Sequence, residues 1–184
     1  MAPDLPCDDD SAGLPEYADT MVEAIGDRGD VVVVAQSFGG FTVPLVADRI
    51  AVHALVLVAG MIPAPGERPD DWVANTGFDQ VMREHEQDDL FYHDVPRALA
   101  GQARRKTRAQ SATPGHSAWP LAAWPDVPTK FVLCTEDRFF PPEFMHRLVA
   151  DRLGITSDEI ASGHCAALSR PKELADMLAG YATT

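Results

Sequence analysis

Apolar residues follow two patterns along the chain, and their alternation outlines the fold. Unbroken apolar runs occur at Val31-Val32-Val33-Val34-Ala35, at Ala54-Leu55-Val56-Leu57-Val58-Ala59 and at Phe131-Val132-Leu133-Cys134. Short β-rich runs of this kind predict strands buried on both faces, as in a parallel sheet covered by helices. A further short strand is expected around Ser157–Ala161. Between these runs, apolar positions recur every three or four residues. Leu14, Tyr17, Met21, Val22 and Ile25 share one face of a predicted helix, with Pro15 in its first turn and Gly26 as its stop. Phe41 to Asp48 predicts a second helix, in which Pro44 should kink or displace the start. Phe144, Leu148 and Val149 share the face of a third, closed by Gly154. Leu174, Met177, Leu178 and Tyr181 share that of a last helix, with Ser169 as the expected cap and Pro171 in the first turn. Strand, helix, strand at this spacing is a βαβ unit with a right-handed crossover, so the class is α/β with a mostly parallel sheet.

Residues 61–128 interrupt this pattern. Prolines gather at both ends (Pro63, Pro65, Pro69; Pro114, Pro120, Pro125, Pro128), and no strand-like run appears between them. Short amphipathic pieces carry Trp72, Phe78, Phe91, Tyr92, Trp119 and Trp124. The expectation is one domain over 1–184 with a helical cap inserted at 61–128, its aromatics mostly filling its own core. The basic run Arg104-Arg105-Lys106-Thr107-Arg108 reads as a solvated helix face.

Charge and composition narrow the function classes. With 15 basic and 28 acidic side chains, the net charge of −13 argues against nucleic acid and against anionic membrane surfaces as partners. No apolar run reaches membrane length. Cys7, Cys134 and Cys165 give neither a metal-ligand spacing nor a disulfide framework, so no metal site is expected and a reducing cytoplasm is the expected location.

Candidate chemistry sits at the ends of the predicted strands, where open α/β sheets gather reactive groups. The first strand runs into Ala35-Gln36-Ser37-Phe38-Gly39-Gly40 and then a helix. Strand, sharp turn with a central serine flanked by small residues, and helix form the context of a nucleophile elbow. The Phe38 N–H would face a developing oxyanion. Thr135-Glu136-Asp137 ends the third strand and Ser162-Gly163-His164 the fourth. Ser37, Asp137 and His164 thus supply nucleophile, acid and base in the order Ser, Asp, His. Glu136 is an alternative acid, and the aromatic-proline turn behind Asp137 favours Asp137. His53, His85, His93, His116 and His146 have no strand-end position and read as surface or packing residues. Cys165 reads as a small pocket-lining side chain.

The segments Ala35–Gly40, Leu55-Val56-Leu57-Val58-Ala59-Gly60-Met61-Ile62-Pro63, Leu133–Asp137 and Gly163-His164-Cys165-Ala166-Ala167-Leu168-Ser169-Arg170-Pro171 resemble the α/β-hydrolase superfamily. The branch is that of plant-type methylesterases, hydroxynitrile lyases and their bacterial relatives. The resemblance implies an α/β-hydrolase fold, Ser37, Asp137 and His164 as the triad, and cofactor-free hydrolysis of small esters under a helical cap. Lyases of this branch carry lysine after the catalytic histidine; Cys165 stands there and counts against cyanohydrin cleavage. Gln36 replaces the histidine usual before the serine. The resemblance begins at Ala2-Pro3-Asp4-Leu5-Pro6, just after the family's fourth strand. It therefore implies that the first strands and the His-Gly loop bearing the second oxyanion donor are missing, with an upstream start as the expected explanation. The elbow strand would then keep an unpaired apolar edge favouring self-association into a homo-oligomer.

The leading expectation is a serine hydrolase acting on a small carboxylic ester. Its rival is a catalytically impaired relative that binds a ligand or a partner, with lyase activity on the same triad a weaker third.

Overall fold

The computed structural model describes residues 1–78 and 87–183. Four strands form one all-parallel sheet in the order β1-β2-β3-β4: β1 Val32–Gln36, β2 Ala54–Val58, β3 Thr129–Cys134 and β4 Asp158–Ile160. Each strand pairs with the next in sequence, Val34 with Val56, Leu57 with Phe131 and Cys134 with Ile160. All four strands point the same way, so the residues that follow them gather along one edge.

Helix α1 (Leu14–Ile25) has Pro15 in its first turn and ends at Gly26, whose φ of 58° suits glycine. After β1 the chain makes a 3₁₀ turn over Ser37–Phe41 and enters α2 (Val43–Ala47) with Pro44 in its first turn. The expected helix start is thus displaced to the position where proline needs no N–H donor. α3 (Pro69–Thr76), α4 (Gln87–Tyr92), α5 (Arg97–Lys106) and α6 (Thr113–His116) occupy residues 61–128, and among the described residues of that stretch there is no strand. α7 (Pro142–Leu153), the single turn α8 (Ala166–Ser169) and α9 (Pro171–Tyr181) complete the chain.

The core centres on β2 and β3, where Leu55, Val56, Leu57, Phe131 and Val132 are fully enclosed. Four readings of the sequence need correction. β1 is not buried on both faces: Val33 and Ala35 are covered, but Val34 is 39% exposed. The cause is its place at the end of the sheet, paired with β2 alone among the described residues. Ser169 does not cap the last helix. It closes α8, and Arg170 stands at the start of α9 without a side-chain cap. Trp72 and Phe78 do not fill a core of the insertion alone, for both pack on Phe140 and Phe144. The indole N–H of Trp119 donates to the Phe41 carbonyl, pinning residues 61–128 to the chain beyond β1, and that of Trp72 donates to the Ile62 carbonyl at the start of the same stretch. Arg108 is exposed but does not lie on the helix face, since α5 ends at Lys106. It donates to Asp4, Asp8 and the Leu5 carbonyl, tying the amino-terminal loop down.

Candidate active site

Ser37 is the first residue past β1 and holds φ at 51°, in the left-handed region that costs a side-chain-bearing residue free energy. The surrounding turn enforces it. The Ser37 carbonyl accepts from the Met61 N–H at 2.8 Å, joining the chain beyond β1 to the chain beyond β2. The Met61 carbonyl presses so closely on Gly40 that a Cβ there would lie 1.8 Å from its oxygen. A Cβ on Gly39 would lie 3.3 Å from the Ala35 Cβ. The small residues around Ser37 thus answer to contacts that leave no room for larger ones.

The loops after β3 and β4 are joined beyond the strands. Thr135 N–H donates to the Ile160 carbonyl at 2.9 Å and Glu136 N–H to the Ser162 carbonyl at 3.0 Å. They bring Asp137 and His164 together: His164 Nδ1 lies 2.8 Å from Asp137 Oδ2, with both side chains almost wholly buried. Asp137 Oδ1 accepts the N–H groups of Phe139 at 2.8 Å and Phe140 at 3.1 Å, which fixes the carboxylate and leaves Oδ2 for the imidazole. The rings of Phe91, Phe139 and Phe140 stand at steep angles to the imidazole, with centroids 5.0–5.3 Å away. Glu136 is exposed and makes no such bond to the imidazole.

Gln36 links the two halves. Its Nε2 donates to the His164 carbonyl at 2.6 Å, so the residue before Ser37 is tied to the residue bearing the imidazole. Among the described residues, no direct hydrogen bond joins the Ser37 hydroxyl to His164. Cys165 is half-buried, and burial pushes its thiol up although the Gln36 amide opposes this; Cys134 is pushed up to about 12 by burial. Both stay protonated at neutral pH, so neither is an activated thiolate.

The other histidines divide. His53 pairs with Asp30, His116 with Asp70, and His146 with Glu159 and Ser157, all on the surface. His85 lies outside the described residues. His93 is half-buried and packs on the loop after β3, its Nε2 meeting the Glu136 carbonyl at 2.9 Å. Its neighbour Asp94 accepts the Gly163 N–H at 2.7 Å. Sequence reasoning missed this pair because neither residue stands at a strand end, and only the tertiary fold carries them there.

The family model for the alpha/beta hydrolase family matches residues 1–177. No curated protein sequence matches. Among solved structures, an extracellular alpha/beta-hydrolase from a Paenibacillus species is similar at a TM-score of 0.76 and 19% identity, covering 94% of this chain and 81% of that one. Polyneuridine aldehyde esterase is similar at 0.74 and 17%, covering 91% and 79%. A pyrethroid hydrolase from Sphingobium faniae is similar at 0.72 and 15%, covering 94% and 79%. Among the described residues no helix is long and apolar enough to cross a membrane.

Proposed function

The chain belongs to the alpha/beta hydrolase family, and from that premise we propose that it is a serine hydrolase cleaving a small carboxylic ester. The observation that carries the proposal is the buried His164–Asp137 pair on the same sheet edge as Ser37, tied to it through Gln36. In this reading Ser37 Oγ attacks the ester carbonyl while His164 Nε2 takes its proton. The Phe38 N–H donates to the oxyanion, since the first N–H groups of a helical turn have no partner within the turn. His164 then returns the proton to the leaving alcohol, and a water activated by the same imidazole releases the acid from Ser37. Asp137 holds the proton-bearing Nδ1 in place and balances the imidazolium. Residues 61–128 act as the cap, and the rings of Phe91 and Phe139 give the site an apolar wall suited to an apolar acyl or alcohol group. An esterase and a pyrethroid hydrolase among the structural neighbours support the ester class. Cyanohydrin cleavage is disfavoured, because the position after His164 holds a neutral thiol and no cation.

The test is labelling of the intact protein with a fluorophosphonate, read by mass. One adduct on Ser37, absent in Ser37→Ala and His164→Ala, is the expected result. A folded protein that takes no label would overturn the proposal. That outcome would favour a second reading, motivated by the free side of β1 and the groove of about 950 Å³ beside it. There the chain would bind a partner or ligand along that edge instead of turning over an ester.

A further inference from the structure

The inserted segment touches both loops that carry the buried pair, through three residues in four. Phe91, at the end of α4, sets its ring 5.3 Å from the His164 ring. His93 Nε2 meets the carbonyl of Glu136, the residue before Asp137, at 2.9 Å. Asp94 Oδ2 accepts the N–H of Gly163, the residue before His164, at 2.7 Å. The fit is tight: a Cβ at 163 would lie 2.6 Å from both Asp94 Oδ1 and His93 Nε2, so those side chains would have to shift to admit it. Gly163 has no positive φ, so its small size answers to this contact and not to backbone conformation.

We infer that Asp94 is a positioning residue, which fixes the Gly163–His164 peptide from the inserted segment and so sets the imidazole against Asp137. The inference rests on the proposed role of His164 as general base. Burial alone would push the Asp94 carboxyl up. The Gly163 N–H, the Ser169 hydroxyl and the His93 ring outweigh it and hold the group below the ordinary aspartate value. Asp94 is therefore an ionised acceptor at neutral pH, and a charge-assisted bond to a backbone N–H is the stronger kind. The β4 loop otherwise leans on the β3 loop and on Gln36, both of which hold carbonyls. Asp94 is the side chain that holds its N–H, at the residue next to the base. A displacement of the imidazole by about 1 Å is enough to lower turnover by about 10²-fold.

The experiment compares the unsubstituted protein with Asp94→Ala and Asp94→Asn, the latter keeping an acceptor oxygen for Gly163. Two readouts are taken: the downfield proton resonance of the His164 Nδ1–H by NMR, assigned by its loss in His164→Ala, and steady-state hydrolysis of p-nitrophenyl acetate. Asp94→Ala is expected to broaden or shift the resonance and to lower kcat about 10²-fold with KM within about twofold. Asp94→Asn should restore the resonance and most of kcat. Should Asp94→Ala fail to fold, Asp94→Ser, which shortens the side chain beyond reach of Gly163, takes its place. A wild-type resonance in the shortened variant overturns the inference, whatever its activity. A resonance that depends on Asp94 in a protein with no Ser37-dependent hydrolysis would uphold the positioning contact and overturn the hydrolase reading instead.

Discussion

Asp137 divides its two oxygens: Oδ1 takes the Phe139 and Phe140 N–H groups, and Oδ2 meets His164 Nδ1 at 2.8 Å. The first pair of bonds sets the carboxylate plane independently of the imidazole. Asp137→Asn should keep that scaffold, since an amide oxygen can still accept both N–H groups. Its NH₂ would then face Nδ1, forcing the imidazole proton to Nε2, where a base is needed. The expected result is a fall in kcat of about 10⁴-fold with little change in KM or melting temperature. Steady-state ester hydrolysis and the rate of phosphonate labelling measure it. Loss of folding in place of loss of rate would show the pair to be structural.

Two adjacent glycines offer a sharper test of the turn around Ser37. A methyl at 40 meets the Met61 backbone oxygen at 1.8 Å, and one at 39 meets only the Ala35 methyl at 3.3 Å. Backbone cannot withdraw without unmaking the Met61–Ser37 bond, whereas a methyl contact relaxes by a few tenths of an ångström. Gly40→Ala should therefore cost about 3 kcal/mol or more and Gly39→Ala under about 1 kcal/mol, read by denaturant unfolding. Equal losses would mean that the Met61 contact does not govern the turn.

The parts of this fold written locally were legible in the sequence. β2 announces itself as Ala54–Ala59 because both its faces are covered, and α1 because Gly26 ends it in a conformation that glycine favours. Ser37 and its turn were legible because strain demands small neighbours at fixed offsets. Exposure of Val34 was not, since an edge strand and a central strand can share the same four valines; only the neighbour list of the sheet distinguishes them. Ser169 looked like a helix cap because its hydroxyl precedes Pro171, yet α8 claims it first. His93 and Asp94 carry no local signal at all. Their meaning comes from loops reached only after folding, at Glu136 and Gly163.

Glu67 and Arg152 give a prediction about pH. Glu67 is 6% exposed and binds Arg152 at 2.5 and 2.9 Å, the Asn75 amide at 3.0 Å and the Ala64 N–H at 3.0 Å. Burial alone would push its carboxyl up. The arginine, the amide and the N–H together hold it below the ordinary value of 4.5. The folded state therefore releases this proton more readily than the unfolded chain. Stability from the group is complete above pH 4.5 and is lost as pH falls through the lower folded value. Glu67→Gln should cost about 3 kcal/mol at pH 7, because it strands a mostly buried guanidinium. The gap between wild type and variant should narrow below pH 4.5, as measured by urea unfolding across pH. A gap that held constant down to acid pH would assign the loss to packing.

The outer side of β1 leads to a prediction about association. β1 pairs only with β2 among the described residues, and Val34, at 39% exposure, is its most exposed valine. Unpaired strand edges with apolar side chains invite pairing with another chain, and a lysine on the edge is the usual deterrent. We expect the wild-type protein to gain average mass above 19.9 kDa as its concentration rises, and Val34→Lys to stay near that value. Sedimentation equilibrium measures both. Val34 is solvent-facing, so the substitution should move stability by no more than about 0.5 kcal/mol, which separates an effect on association from one on folding. Val73, 37% exposed on α3, is the control. If Val73→Lys reduced association as strongly as Val34→Lys, the cause would be surface charge in general, and the strand edge would have no special part in it.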